Sequence, residues 1–305
     1  MKRVKKKVFT TLILVLVGSL TWYLFIKEDD YIFTFRVKTS PGTVYYLAKR
    51  WNTLKGKDPG LINNIDYNPY KNLKQEFIEN NDHYIFNWQF SAIDEETTAV
   101  KVGISDSKGS FLDRLSLIFK EIPLISVGKE KLLAFNTIVK NHLNDFKVNV
   151  QDQGIFPGGF FAYMTIESSM QNKAEKMIAE NAAITSFLAQ NKFIVNGPPV
   201  VEILQWDRKN DHIKFNFCFP VEKRDSLPQH QAIKFKEIEA FKGLKAIFNG
   251  NYRISDRAWF ALDTYAAKKK YEIVKEPVEV FYNNPNEGGN ALEWKAEIFM
   301  PLKNP

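Results

Sequence analysis

The residues best suited to chemistry lie on one side of two predicted strands. On this side are Lys214, Asn216 and Cys218 of one strand, and Glu293, Lys295, Glu297 and Phe299 of the last strand. Successive side chains of a strand point to opposite faces, so each set shares one face. The alternate, apolar set of each strand requires cover from helices, which leaves the polar face to line a groove. We therefore expect this face, with the carboxylates of Glu293 and Glu297, to line a groove.

Glu297 supports three interpretations. A carboxylate in a partly dry groove attracts a cationic ligand, which would make the groove a binding site. It can also act as a general base toward a bound water, which would make the protein a hydrolase. A charged strand residue is also commonly a solvated partner of a lysine, here Lys295 or Lys214.

Other routes to catalysis find little support. The chain has no Ser-His-Asp or Cys-His motif, and the single Cys218 is more typical of a small buried residue than of a nucleophile. The four histidines are scattered without the spacing of metal ligands. We predict no catalytic residue, no metal site and no cofactor.

An internal duplication organises the C-terminal half. Phe187, Phe193 and Pro199 pair with Tyr265, Tyr271 and Pro277 at one offset, and Pro220 pairs with Pro301 after a short insertion. Two copies indicate a pseudo-symmetric domain rather than a solenoid, which needs at least about three repeats. We expect function to lie between the copies.

Each copy is predicted to be a β-α-β-β unit. The first has strands near 160–167, 200–206 and 212–221 and a helix near 172–191. The second has strands near 244–248, 278–282 and 292–300 and a helix near 254–270. In the last strand of each copy, the residues on one face are apolar: Ile213, Phe215, Phe217 and Phe219 in the first copy, and Trp294, Ala296, Ile298 and Met300 in the second.

The preceding part of the chain predicts an α+β domain over residues 31–150. Its elements are a strand over 31–38, a helix over 44–51, a hairpin of strands 84–90 and 98–104, and an amphipathic helix over 129–146. The hairpin has one aromatic face, which serves either as a packed core or as a ligand pocket. The Gly- and Pro-rich residues 151–159 are the predicted domain boundary, so the second domain covers 155–305.

The N-terminus predicts a membrane anchor. Residues 1–7 are basic, and Val8 to Ile26 form an uncharged apolar run, followed by acidic residues. By the positive-inside rule, residues 8–27 would cross once with the globular part outside the cytoplasm, in the periplasm. A cleavable signal peptide is the alternative, although no small-x-small cleavage site is present.

Charge argues against nucleic-acid binding. The formal net charge is +7, but residues 1–7 contribute five of those charges, which leaves +2 for the rest. No basic stripe follows them, so we predict no nucleic-acid partner.

Two family resemblances support this organisation. The segment Phe-Thr-Phe-Arg-Val-Lys-Thr-Ser-Pro-Gly-Thr-Val, the Trp-Gln-Phe hairpin and the following helix resemble the START-like, or SRPBCC, helix-grip family over roughly 31–150. Members of that family range from carriers of hydrophobic ligands to catalysts.

The C-terminal half resembles the gyrase-inhibitor-like (GyrI-like) family, also known as the AraC-type effector-binding domain. The resemblance rests on Asn-Gly-Asn-Tyr at 249–252, a helix carrying Trp259, Pro-Val-Glu-Val-Phe-Tyr-Asn-Asn-Pro at 277–285 and Ala-Glu-Ile-Phe-Met-Pro-Leu at 296–302. It implies two SHS2-like β-α-β-β units with a groove for small hydrophobic or cationic molecules, and it places Glu297 at that groove. Many members carry a DNA-binding helix-turn-helix segment, whose place is taken here by the predicted anchor and START-like domain.

The expected function is that of a membrane-anchored protein that binds a small hydrophobic or cationic molecule. The predicted ligand-binding residues are Glu297, Tyr282, Trp259, Trp206, Asn216 and Phe299. For Tyr282 and Trp259, aromatic residues at regular spacing are more often core than pocket. A hydrolase of small xenobiotics and a non-catalytic envelope interaction protein with closed grooves are the alternatives.

Overall fold

The computed structural model describes residues 2–22, 27, 29–53, 60–79, 82–107 and 123–303. The chain divides into two compact units. The N-terminal unit comprises Met1–Arg36, Leu47–Phe90 and Ala99–Ile138, and the C-terminal unit comprises Val37–Tyr46, Ser91–Thr98 and Val139–Pro305. Each mixes helices with an antiparallel sheet, so the predicted α+β class is confirmed.

The secondary-structure elements are numbered in chain order. The helices are α1 (Lys2–Thr21), α2 (Pro41–Lys49), α3 (Pro123–Asn144), α4 (Lys173–Gln190) and α5 (Asp256–Lys269). The strands are β1 (Tyr31–Val37), β2 (Leu61–Asn68), β3 (Asn72–Glu79), β4 (Asp82–Ala92), β5 (Thr98–Asp106), β6 (Phe146–Phe156), β7 (Gly159–Ser168), β8 (Val200–Asp207), β9 (His212–Pro220), β10 (Ile233–Ile238), β11 (Phe241–Gly250), β12 (Val278–Phe281) and β13 (Lys295–Pro301).

Helix α1 corrects the predicted membrane topology. It includes the basic cluster and ends at Thr21, which leaves roughly 14 uncharged residues from Val8, or about 21 Å of helix. A hydrocarbon core is about 30 Å thick. Among the described residues, no helix has both the length and the apolar character needed to cross a bilayer. The predicted single-pass localisation is therefore wrong; residues 23–26 of the predicted segment lie outside the described residues.

The N-terminal unit contains a five-stranded sheet with the order β1-β5-β4-β3-β2. The predicted hairpin is confirmed as β4 and β5, and its aromatic face points inward. Trp88 of that face is 1% exposed and lies 5.0 Å from Phe135 of α3 and 6.2 Å from Trp51, between ring centroids. These rings pack on one another as a core. The START-like assignment of this part of the chain stays a prediction.

The C-terminal unit contains an eight-stranded antiparallel sheet with the order β10-β7-β9-β8-β12-β13-β11-β6. The two predicted β-α-β-β copies are confirmed as β7-α4-β8-β9 and β11-α5-β12-β13. They meet where β8 pairs with β12, at Val200 and Val280 among other residues. Helix α4 packs on β7, and α5 packs on β11, β6 and β13.

Strands β6 and β10 were not predicted, and they join the copies by exchange. Strand β6 leads into the first copy but pairs with β11 of the second, whereas β10 leads into the second copy but pairs with β7 of the first. The connection from β6 to β7 passes close to the connection from β10 to β11. A Cβ added to Gly158 would lie only 2.6 Å from Ala240 N and from Ile238 O. Neither copy therefore completes its sheet alone.

This exchange also changes the predicted domain boundary and the predicted groove face. Residues 151–159 lie in β6, a two-residue connection and the start of β7, rather than in an irregular linker. The exchanged strands bring Phe156 and Ile238 onto the sheet face where the groove was expected. There they form a buried cluster with Phe161, Val200, Cys218, Val278, Val280 and Phe299. The sheet face that does not contact the helices, where the groove was expected, is thus largely filled by this cluster.

Candidate functional site

A cavity of about 670 Å³ lies in the C-terminal unit between α4 and three segments of the second copy. The first copy lines it with Ala174, Met177, Ile178, Asn181 and Thr185 of α4 and with Pro199, Phe217 and Phe219. The second copy lines it with residues 251–253, residues 281–286 and Trp294. This volume falls in the range of about 300–1,000 Å³ that is typical of small-molecule sites. The expectation that a site lies between the copies agrees with this geometry.

Aromatic rings form much of the cavity wall. The Tyr252 ring centroid lies 4.6 Å from that of Phe281 and 5.8 Å from that of Trp294. Phe217 and Phe219 of β9 add two rings from the first copy, 4.9 Å apart. Such walls offer large apolar and π-faces to a ligand.

Hydrogen bonds hold these rings in place. The Tyr252 hydroxyl donates to Lys295 O at 2.7 Å and accepts from Asn283 N at 3.1 Å. Burial raises the pKa of Tyr252 to about 12, so the phenol stays protonated and keeps its donor at neutral pH. Trp294 Nε1 donates to Gly288 O at 3.2 Å. The wall formed by the second copy is therefore fixed before any ligand binds.

Among the predicted site residues, only Tyr282 lies in the cavity lining. Its side chain is 48% exposed, and its hydroxyl donates to Glu297 Oε2 at 3.1 Å. Glu297 is thus one hydrogen bond away from the cavity. Lys295 Nζ lies 4.6 Å from the centroid of the Tyr282 ring and supports it from another side.

Glu297 is an ion-paired residue. Lys295 Nζ lies 2.8 Å from one carboxylate oxygen and Lys245 Nζ lies 3.0 Å from the other. Burial alone would raise the pKa of Glu297, but hydrogen bonds and charges from Lys295 and Lys245 lower it below its usual value. A carboxylate with a lowered pKa and two cationic partners is a weak base and has little attraction left for another cation.

Asn216 and Phe299 lie on the filled face of the sheet. Asn216 Nδ2 donates to Glu202 Oε2 at 2.7 Å, and its Oδ1 accepts from Thr165 Oγ1 at 2.7 Å. Phe299 is 2% exposed and packs in the buried cluster with Phe156. Burial also raises the pKa of Cys218 in that cluster well above its usual value, so the thiol is not ionised at neutral pH.

Trp259 and Trp206 belong to the core beneath α5. Their ring centroids are 5.3 Å apart in an edge-to-face arrangement, and Trp259 is completely buried. The Arg208 guanidinium lies 4.2 Å from the Trp206 ring centroid and pairs with Asp263 at 2.8 Å. The structure does not bring these residues to the cavity; their ligand-binding role stays a prediction.

A buried polar network next to the cavity was missed by the sequence analysis. Lys173 Nζ contacts Glu279 Oε2 at 2.5 Å and donates to Ser255 Oγ at 2.9 Å. Trp259 Nε1 donates to the other Glu279 oxygen at 3.0 Å. All four side chains are at most 1% exposed. The available signal was a carboxylate inside the apolar strand Val278–Phe281, which requires a buried partner.

Comparisons with known proteins agree with the fold of this unit. The sequence profile described as "GyrI-like small molecule binding domain" matches residues 156–303. No curated protein sequence matches the chain.

Several solved structures are similar at low identity. The crystal structure of the EcmrR C-terminal domain is 16% identical, covers 52% of this chain and 99% of that chain, and has a TM-score of 0.43. The structure of SAV2435 bound to tetraphenylphosphonium is 10% identical, with coverage of 51% and 94% and a TM-score of 0.37. The di-domain ARO/CYC StfQ from the steffimycin biosynthetic pathway is 8% identical, with coverage of 90% and 85% and a TM-score of 0.23.

The profile match coincides with both copies of the duplicated fold and contains every lining residue of the cavity. The predicted resemblance of the C-terminal half is confirmed, since residues 156–303 match the family model of GyrI-like small molecule binding domains.

Proposed function

We propose that the chain binds a small, mainly hydrophobic aromatic molecule in the cavity between α4 and the second copy. The observation that carries the proposal is a 670 Å³ cavity, within a small-molecule binding domain, whose lining includes six aromatic residues. Its aromatic walls are held in place by hydrogen bonds, which reduces the ordering cost of binding. The open cavity also argues against an interaction protein whose grooves are closed.

The sequence predicts a cationic ligand because Glu297 would attract it. The ion pairs around Glu297 weaken this argument. The carboxylate is neutralised by Lys245 and Lys295. The hydrolase alternative loses its general base for the same reason. We therefore expect Glu297→Gln to change the affinity for tetraphenylphosphonium by less than about twofold, because the two lysines already occupy the carboxylate. A loss of tenfold or more in a calorimetric titration would restore Glu297 to the site.

The proposal is tested with 2-naphthylmethanol, an uncharged aromatic probe. Tyr282→Ala removes a half-exposed ring from the lining and should weaken binding about twofold to tenfold, since a lost aromatic contact costs about 0.5–1.5 kcal/mol. Ile155→Ala is the matched control, because Ile155 is 69% exposed in the same unit and lies outside the lining. Isothermal titration calorimetry measures both. Equal loss in the two variants, or no binding by the wild type, would refute the proposal.

A further inference from the structure

The polar groups of the cavity lining indicate which chemical class of ligand the site selects. This inference rests on the proposed function and concerns the charge of the ligand. Three asparagines of the lining bind backbone N–H groups, and this determines which end of each side-chain amide remains available. A backbone N–H can only donate, so its amide partner must be the oxygen.

Asn251 and Asn283 present their amide nitrogens. Asn251 Oδ1 accepts from Arg253 N at 3.0 Å, and Asn283 Oδ1 accepts from Lys295 N at 2.8 Å. Both side chains are exposed. Within the described part of the chain, neither Nδ2 group has a hydrogen-bond partner. The end of each side chain that remains for a molecule in the cavity is therefore a donor.

Most other polar groups of the aromatic wall are already used. The Tyr252 hydroxyl donates to a backbone carbonyl, the Tyr282 hydroxyl donates to Glu297, and Trp294 Nε1 donates to a backbone carbonyl. Asn284 Nδ2 donates to Glu287 Oε1 at 3.1 Å. The donors of the second copy whose orientation is fixed by a bond to a backbone N–H are thus those of Asn251 and Asn283, and the one charged lining residue adds to them.

That charged residue is Arg253. Among the described residues that line the cavity, it is the single one with a formal charge. Its guanidinium group is exposed, and the described part of the chain supplies it with no ion-pair partner. Two carboxylates are close but outside the lining: Glu297 is held by two lysines, and Glu287 by Asn284. The charge of the lining itself is positive.

We propose that the cavity selects an aromatic carboxylate. The ring packs against the wall of Tyr252, Phe281 and Trp294, and the carboxylate accepts hydrogen bonds from Arg253 and from the amide groups of Asn251 and Asn283. Guanidinium and amide N–H donors suit a carboxylate, which accepts hydrogen bonds at both of its oxygens. An ammonium group in the same place would face donors and a like charge.

The test compares three probes that share one ring system: 2-naphthoate, 2-naphthylmethanol and 2-naphthylmethylammonium. Calorimetric titration of the full chain should give the tightest binding for the carboxylate, about fivefold to tenfold tighter than the alcohol, and the weakest for the ammonium. Raising the salt concentration should weaken only the carboxylate relative to the alcohol. Equal affinities, or tighter binding of the ammonium, would overturn the inference while leaving the proposed function intact.

Arg253→Gln identifies the residue responsible. It should reduce the preference for 2-naphthoate over the alcohol to less than about twofold. Lys234→Gln removes the same charge from an exposed residue outside the lining and should keep the full preference. A preference that survives in Arg253→Gln would contradict the assignment. If none of the three probes binds, both this inference and the proposed function fail.

Discussion

The C-terminal unit contains two equivalent interfaces between its copies, and they are filled differently. In the open interface, α4 faces residues 281–286 across the cavity. In the filled interface, α5 carries Trp259 and Asp263, which contact Trp206 and Arg208 of the first copy. The offset that pairs Phe187 with Tyr265 also pairs Asn181 with Trp259 and Thr185 with Asp263.

The opposite sides of the two interfaces follow the same offset. Trp206 corresponds to Asn284 and Arg208 to Asn286, both of which line the cavity. A tryptophan pair and an ion pair thus stand where the other interface has asparagines and a threonine. The comparison indicates that the duplicated fold specialised one interface for stability and kept the other for binding.

The largest expected effect is a difference in unfolding free energy between substitutions at equivalent positions of the two interfaces. Trp259→Ala should lower the free energy of unfolding by about 4–5 kcal/mol, because it leaves a cavity in the core and removes a hydrogen bond to Glu279. Asn181→Ala at the equivalent position should change it by no more than about 0.5 kcal/mol. Urea unfolding measures both. Similar losses at the two positions would contradict the division.

The buried ion pair should give the next largest effect. Lys173→Met leaves Glu279 buried without its cationic partner, which should cost about 3–4 kcal/mol of unfolding free energy. The double variant Lys173→Met with Glu279→Gln removes both charges and keeps an acceptor for Trp259. It should be more stable than Lys173→Met in the same urea experiment. A double variant that is less stable than the single would show that the loss in Lys173→Met does not come from an uncompensated charge on Glu279.

The contact between α3 and α5 should make the stability of the protein sensitive to acid. Burial, with a smaller contribution from Arg257, lowers the pKa of His142 to about 3, and its Nε2 accepts from Arg257 Nε at 3.0 Å. Because the unfolded chain binds this proton more readily, the stability is complete above pH 6.5 and is lost as the pH falls toward 3. The free energy of unfolding should fall by no more than about 1.4 kcal/mol per pH unit, because a single group binds the proton. His142→Gln should flatten the dependence of the urea midpoint on pH over this range; an unchanged dependence would refute the assignment.

A smaller effect comes from making the open interface resemble the filled one. Asn181→Trp puts into the cavity wall the tryptophan that stands at the equivalent position, Trp259, of the filled interface. It should weaken the binding of 2-naphthylmethanol by at least about tenfold, or roughly 1.4 kcal/mol. The fold should be unaffected, since Asn181 is only half-buried. Asn181→Ala serves as the control and should retain binding. Full affinity in Asn181→Trp would place the ligand elsewhere.

The local elements could be predicted because their signals are local. The alternation of apolar residues in β9 placed that strand within a few residues of its observed bounds. The exchange of β6 and β10 is a long-range pairing with no local signal. It fills the sheet face on which the groove was expected, and the cavity lies beside α4 instead. Tyr282 could be predicted as a lining residue because it directly follows a strand within the family motif. Strand parity instead put Glu297 on the sheet face that the exchanged strands fill.

Other parts of the site depend on tertiary partners that a single sequence does not reveal. Nothing local indicates that Lys173 pairs with Glu279 across 106 positions of the chain. The donor character of Asn251 and Asn283 depends on which backbone groups their oxygens meet. The START-like assignment and the absence of nucleic-acid binding stay predictions.

Photochemical labelling tests most directly whether the open interface is the binding site. The probe is 4-benzoylbenzoate, an aromatic carboxylate whose excited ketone inserts into nearby C–H bonds. Mass spectrometry of the digested full chain should locate the label on α4, at Met177 or Ile178, or within residues 281–286, and excess 2-naphthoate should suppress it. Labelling at Trp206 or along α5 instead, or labelling that 2-naphthoate does not suppress, would contradict the account.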